Sequence, residues 1–298
     1  MGASRVIHIE RLDLPELAPY RDQKDAWLRA RHHPQAAQAG RTGTGLSDGL
    51  FLAEGELVVE QLIRSSHEVV SMLVSEPKLE RMMPLIERLH PGVPVYAGPA
   101  EVVERIVGFH LHRGVLACGR ARALPSVASI LQRARVVVVL EDLTSHDNVG
   151  GIFRSVRAFA GSEGAVLLTP RCCDPLYRRA LRVSIGHALH VPYAWLTDWP
   201  AQIEQIAAAG FRVLALTPAP GATDLDSVAT GGRCCVLAGA EGPGLSSEAM
   251  ERADERVRIR MDPAVDSLNV AVSVAVALHA VRAGRPDPGG FGTRRDFG

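Results

Sequence analysis

Val136-Val137-Val138-Val139-Leu140-Glu141-Asp142-Leu143-Thr144-Ser145-His146-Asp147-Asn148-Val149-Gly150-Gly151-Ile152-Phe153-Arg154 is the stretch on which the fold turns. Its first five residues are apolar and four of them β-branched, which predicts a strand buried on both faces, the kind that parallel sheets contain. A polar segment follows, and then a run of helical length, Asn148–Ala160. Ligands in open parallel sheets sit beyond the carboxyl ends of the strands, so the polar residues here are site candidates. Asp147 or Asn148 is expected to cap the helix. Arg154 lies in an otherwise apolar, small-residue helix, with Arg157 nearly one turn on; its plain alternative is a side chain reaching out to solvent.

Outward from this stretch the pattern repeats. Strands are predicted at Arg135–Leu140, Ala165–Leu168, Leu189–Val191, Arg212–Leu216, Arg233–Leu237 and Glu255–Ile259. Helices are predicted at Asn148–Ala160, Pro175–Ile185, Ala201–Ala209 and Leu268–Ala283. The expected fold class is α/β, a parallel sheet covered on both faces and spanning residues 128–285. A smaller α/β domain is expected at 49–120, with strands at Leu50–Leu52, Val69–Val74 and Val93–Tyr96 and helices at Glu56–Arg64, Leu79–Leu89 and Pro99–Val107. Residues 1–48, with the Gly40–Gly45 punctuation, are read as an N-terminal extension, and the Gly/Pro/Arg-rich 286–298 as a disordered tail.

Composition narrows the class. The chain has 298 residues, 47% hydrophobic and 22% charged, enough for two domains with their own cores. No apolar run reaches the 18 or so residues of a membrane span, and Met1–Arg11 lacks a secretory pattern, so a cytoplasmic protein is expected. The five cysteines include the adjacent pairs Cys172-Cys173 and Cys234-Cys235 but no C-x-x-C; reduced thiols and no metal site are expected. Net charge is zero, so a nucleic-acid partner has to be argued from local patches.

Two further blocks interrupt apolar runs at strand ends. Leu237-Ala238-Gly239-Ala240-Glu241-Gly242-Pro243-Gly244-Leu245 sets three glycines around one carboxylate, in a spacing that is not G-x-G-x-x-G, and an exposed turn is its plain alternative. In Ile259-Arg260-Met261-Asp262-Pro263-Ala264-Val265-Asp266-Ser267-Leu268-Asn269-Val270, Ser267 is expected to cap the last helix, and Asn269 is an amide in need of a partner.

In this order the blocks resemble the three motifs of the SpoU (TrmH-like) branch of the SPOUT superfamily of methyltransferases: N-x-G-x-x-x-R at Asn148, Gly150 and Arg154; G-x-E-G-x-G-L from Gly239 to Leu245; and I-x-M…S-L-N-V from Ile259 to Val270. The resemblance covers residues 135–283, and Arg182-Val183-Ser184-Ile185-Gly186 is similar to the family's R-x-S-x-G element. Gly49–Ala117 is more loosely similar to the RNA-recognition domain often fused in front. The family's Pro and Gly around the Met are Arg260 and Pro263 here, so a different loop path is expected.

The resemblance implies a trefoil-knotted C-terminal domain, a homodimer with the active site at its interface, S-adenosylmethionine as cofactor, and 2′-O-methylation of a ribose in rRNA or tRNA. By the same resemblance, Arg154, Asn148, Glu241, Ser267 and Asn269 are the catalytic candidates. Gly239, Ile259, Leu268, Leu216, Thr217 and Met261 would surround the cofactor. Arg171, Arg178, Arg179 and Arg182, with Asp174 the only acidic residue among them, are the candidate RNA contacts; a solvated basic helix face is their alternative. Two readings compete with methyl transfer: an RNA-binding protein of this fold that has lost it, and a nucleotide-dependent oxidoreductase, which lacks its Gly-rich turn here.

Overall fold

The computed structural model describes residues 6–21, 49–108, 114–228 and 231–283. The Gly40–Gly45 stretch and the tail expected at 286–298 lie outside the described residues.

The first sheet has five strands, β1 (Val6–His8), β2 (Leu50–Glu54), β3 (Glu68–Ser75), β4 (Val95–Gly98) and β5 (Val115–Arg120), in the order β1-β4-β3-β5-β2. β1, β4 and β3 are parallel, while β5 runs antiparallel to both neighbours. Helices α1 (Glu56–Arg64), α2 (Glu76–Ile86) and α3 (Ala100–Val107) connect them. Residues 6–21 correct the sequence reading: they belong to this unit and are not an extension to it. β1 forms the sheet edge, and a 3₁₀ turn at Pro15–Tyr20 buries Leu17 and Tyr20 against Leu50, Leu52, Leu73 and Leu116. The Tyr20 hydroxyl bonds Ser71 Oγ at 2.7 Å, which satisfies a phenol that the core would otherwise penalise. A strand of three residues carries too short a pattern to be read alone. α2 begins three residues earlier than expected, at Glu76, with proline in its first turn where no N–H is needed.

The second sheet has seven parallel strands in the order β10-β12-β9-β11-β6-β7-β8. These are β6 (Val136–Glu141), β7 (Gly164–Leu168), β8 (Tyr193–Trp195), β9 (Phe211–Leu216), β10 (Thr223–Asp224), β11 (Arg233–Gly239) and β12 (Glu255–Arg258). The helices are α4 (Val127–Arg133), α5 (His146–Ala160), α6 (Arg178–Val183), α7 (Gln202–Ala208), α8 (Ser247–Arg252) and α9 (Val270–Ala283). Alternation along β6 divides the core. Val136, Val138 and Leu140 face Ile152, Phe153 and Val156 of α5 and Val274 and Leu278 of α9. Val137 and Val139 face Ile130, Ile203, Ile206 and Ala249 of α4, α7 and α8. Burial of a Val or Leu side chain contributes about 1.5–3 kcal/mol, and the strand is buried along its whole length.

Two local expectations are corrected. The strand expected at Leu189–Val191 is a 3₁₀ turn, His187–His190; the β8 strand starts only after Pro192, at Tyr193. The cap of α5 is Ser145, whose hydroxyl accepts from the Asn148 N–H, so Asp147 and Asn148 lie inside the helix and the Asn148 side chain is left for another task.

The two units are docked through the R-x-S-x-G segment. Arg182 pairs with the buried Glu54 of β2 at 3.6 Å, and His190 bonds Gln61 of α1 at 2.9 Å. Gly186, at φ 75°, lies so close to α1 that a Cβ there would fall 2.6 Å from Gln61 Cβ. The apolar cluster is continuous from Phe51 and Val58 to Phe153.

α5 crosses α6 at Gly150, where a Cβ would stand 2.6 Å from the Ala180 carbonyl oxygen. Gly150→Ala is expected to destabilise the fold by about 1–3 kcal/mol, since overlap with backbone outweighs the gain in helix propensity. Gly151→Ala, which would meet only Ala271 Cβ at 3.2 Å, should be near neutral. Urea unfolding midpoints of the two variants check this.

Candidate active site

The parallel pairing of β11 with β6 sets Gly239 opposite Glu141, so the loops that leave both strands start side by side. The β9 strand flanks β11 on its other side, and the Thr217 N–H donates to the Val257 carbonyl at 3.0 Å, bringing the start of the Ile259 loop against Leu216 and Thr217. β6, β7 and β8 build outward one way while β9, β10 and β12 lie the other way, so the loops meet where the strand order reverses, as expected of a ligand crevice.

A cavity of about 440 Å³ opens there. All six residues expected around a cofactor line it: Gly239, Ile259, Leu268, Leu216, Thr217 and Met261. Glu241, Ser267 and Asn269 line it as well. The glycines have a steric reason. A Cβ on Gly239 would overlap the Gly244 carbonyl and the Leu245 nitrogen, because the loop folds back and the Gly244 N–H donates to the Ala240 carbonyl at 2.9 Å. Gly242 and Gly244 have φ of 91° and 71°, a region costly for any other residue.

Asn269 joins the three sequence blocks. Its Nδ2 donates to Asn148 Oδ1 at 2.9 Å and to Glu241 Oε1 at 3.0 Å. Its Oδ1 accepts from the N–H groups of Ala271 and Val272 at 2.9 and 3.3 Å, so Asn269 caps α9. The cap expected at Ser267 is thus corrected: the helix begins at Val270, and Ser267 stands exposed in the loop before it. Sequence reading missed Ser273, which lines the cavity one helical turn beyond Asn269 and was detectable by that spacing.

Arg154 is not brought into this group. It is exposed on α5 and does not line the cavity. Burial, followed by the charges of Arg154 and Arg157, holds the His187 imidazole below its usual pKa, and His187 Nδ1 is buried with no hydrogen-bond partner among the described residues. The basic patch is partly neutralised within the chain. Arg171 pairs with Asp142, Arg179 grips both oxygens of Asp147 at 2.7 and 2.5 Å, and Arg182 pairs with Glu54; Arg178 is exposed to a lesser degree on the same short helix. The guanidinium partners hold the Asp142 and Asp147 carboxyls below the usual range.

The two unusual loop residues are accommodated. Arg260 reaches Asp226 at 3.1 Å and Asp224 at 3.8 Å, tying the loop to the sheet edge. Pro263 is the second residue of a turn closed by Val265 N–H to Asp262 carbonyl at 2.9 Å, with Ala264 N–H on Asp262 Oδ1; Asp followed by Pro suits such a turn.

This sheet with its loops defines a class, the SPOUT methyltransferase fold, in which a C-terminal trefoil knot is typical. The SpoU rRNA Methylase family profile matches residues 135–279. A Mycobacterium bovis protein named uncharacterized tRNA/rRNA methyltransferase Mb0905 is 42% identical over 233 residues, covering 77% of this chain and 80% of that one. Among solved structures, an AdoMet-bound rRNA methyltransferase from Sinorhizobium meliloti superposes with TM-score 0.72 at 20% identity, covering 95% of this chain and 99% of the other. A structure described as an RNA 2′-O ribose methyltransferase gives TM-score 0.68 at 20% identity, covering 93% and 99%. The chain belongs to the SpoU family of methyltransferases.

Asn269→Ala removes the α9 cap and both cross-links, and is expected to cost about 0.5–2 kcal/mol, whereas Ser267→Ala should stay within about 0.5 kcal/mol. Thermal and urea unfolding of the pair would reverse this assignment if Ser267→Ala proved the more costly.

Proposed function

We propose that the protein uses S-adenosylmethionine to methylate a ribose 2′-hydroxyl in rRNA or tRNA, and that it works as a homodimer. The observation that carries this reading is the Asn269 amide bound to both Asn148 and Glu241 at the rim of the cavity. The names of the relatives support RNA as substrate, and the family supports methyl transfer. Among the described residues no helix is long and apolar enough to cross a membrane.

The cavity fits the cofactor in size and in chemistry, since narrow glycine-rich walls expose main-chain donors and acceptors to a base and a ribose. Gly239, Ile259 and Leu268 would hold the adenosine through their backbones, with Leu216, Thr217 and Met261 as the surrounding wall. When bound, S-adenosylmethionine supplies an electrophilic methyl group. The chain's own residues have to place the 2′-oxygen in line with it. Asn148, Glu241 and Ser267 orient that hydroxyl, and Asn269 fixes the first two relative to each other. A guanidinium stays protonated, so Arg154 acts by clamping the adjacent phosphate and stabilising the developing alkoxide.

Arg154 stands outside its own chain's cavity, next in sequence to Ser155, which with Gly151, Phe159, Val272, Val276 and His279 lines an apolar depression. α9 is apolar on both sides: Val274, Ala277 and Val281 pack inward, while Val272 and Val276 are 49% and 38% exposed. A second copy covers that face and brings the partner subunit's Arg154 to the site.

Incubation with methyl-labelled S-adenosylmethionine and cellular RNA should leave label in alkali-resistant dinucleotides, since a methylated 2′-oxygen no longer attacks the neighbouring phosphate. Label in mononucleotides would place the methyl on a base and overturn the ribose assignment. Arg154→Lys should lower turnover by about 100-fold or more with cofactor affinity unchanged. Val272→Glu/Val276→Glu should sediment as an inactive monomer. Mixed dimers of Arg154→Ala and Glu241→Ala should regain part of the activity that each lacks alone; no recovery would place Arg154 in its own subunit's site.

A further inference from the structure

A second cavity, of about 670 Å³, lies between the two units at the other end of the large sheet. Ala134, Gly164, Ala165, Pro192 and Tyr193 mark its floor, where β6, β7 and β8 begin, whereas the site described above lies where strands end. The six residues of β6 separate the two by roughly 20 Å. The first domain forms one wall, with Arg64 and His67, and the linker and α4 form another, with Arg122 and Arg133.

The charge of this cleft is of one sign. Its basic lining side chains are Arg64, His67, Arg122, Arg133 and His190, and no Asp or Glu lines it. Arg64 is balanced by Glu60 at 2.5 Å. Arg122 and Arg133 are exposed and form no ion pair with any described residue, in contrast to Arg171, Arg179 and Arg182. Ser66, Ser129 and Ser162 add hydroxyl donors. Little aromatic surface is offered to a base: Tyr193 is 4% exposed, and the half-buried His67 makes a T-shaped contact with Phe51 at 5.4 Å between centroids. Cations and hydroxyls without a stacking surface recognise phosphate and leave the base unread.

We infer that the interdomain cleft around Arg122 and Arg133 is a second anion site, which binds the phosphodiester backbone of the RNA substrate away from the methylated nucleotide. The inference rests on RNA being the substrate. Because the cleft bridges the two units, a strand held there anchors RNA to both, and it does so by charge, independent of sequence.

The test uses the full-length protein and a 20-nucleotide single-stranded RNA of mixed sequence, with affinity followed by fluorescence anisotropy from 50 to 200 mM salt. Both arginines are exposed, so Arg122→Gln/Arg133→Gln should fold normally. Two lost phosphate contacts should lower the slope of log K against log salt by about 1.4, making binding roughly sevenfold less salt-sensitive over that range. The charge-matched control Arg252→Gln/Arg256→Gln, on α8 and β12, should keep the wild-type slope. An unchanged slope in the cleft variant, or an equal loss in the control, overturns the assignment. Inorganic triphosphate that binds the cleft without competing with RNA would mean a small-anion site and would also overturn it. A wild-type protein that binds neither probe removes the cleft from RNA binding altogether. Titration of S-adenosylmethionine into the same variants separates the two readings: cofactor binding with an unchanged slope refutes the cleft alone, and absent cofactor binding refutes the methyltransferase site.

Discussion

The pairing of β6 with β11 is the constraint from which the site follows. Parallel neighbours with Gly239 opposite Glu141 release two polar loops at one point of the sheet edge, although about a hundred residues of chain separate them. Both strands are buried on both faces, so their register is fixed by two cores at once. A slip of one residue would exchange the side chains meant for α5 and α9 with those meant for α4 and α7. The cavity walls inherit their precision from that register, from Gly239, which leaves no room for a Cβ, and from the positive φ of Gly242 and Gly244.

On that frame a single amide does three things. Asn269 caps α9, holds Asn148 of α5 and holds Glu241 of the glycine loop. An amide has two donors and an acceptor in fixed planar geometry, so satisfying all of them ties one position to three elements. Serine in this place would cap the helix equally well but would lack the second and third connections. That is a chemical reason for Asn at the start of a helix made mostly of Val and Ala.

Much of this was legible in the sequence, and the parts that were not share a cause. β6, β11 and α9 announce themselves through long apolar runs, and the cavity wall through glycines and polar breaks at strand ends. β1 escapes a sequence reading because three residues carry no periodicity, and it is held by its pairing with β4 and by the packing of Val6 and Ile7. The strand expected at Leu189–Val191 rests on the apolar Leu189 and Val191, which a packed 3₁₀ turn and the residue after it bury just as well. The caps fall two or three residues from the expected positions because Ser145, Asp147, Asn148, Ser267 and Asn269 are all competent cap residues, and the choice among them depends on which side chain has a better partner elsewhere.

The arginines show most clearly what a linear reading leaves out. Arg171, Arg178, Arg179 and Arg182 form a basic cluster in sequence, yet Asp142, Asp147 and Glu54 come from other elements to meet three of them. Those pairs position α6 against α5 and the first domain against the second, with exposed members contributing little on their own. Arg122 and Arg133 are eleven residues apart, each two residues from an arginine that is paired with a glutamate (Arg120 with Glu68, Arg135 with Glu163), and the linker and α4 bring both to one cleft. In a chain of zero net charge, attraction for a polyanion depends on where compensation fails, and that is a property of the fold. The same reasoning applies to Arg260, whose charge is met by Asp224 and Asp226, holding this cavity loop in the path that Pro263 turns.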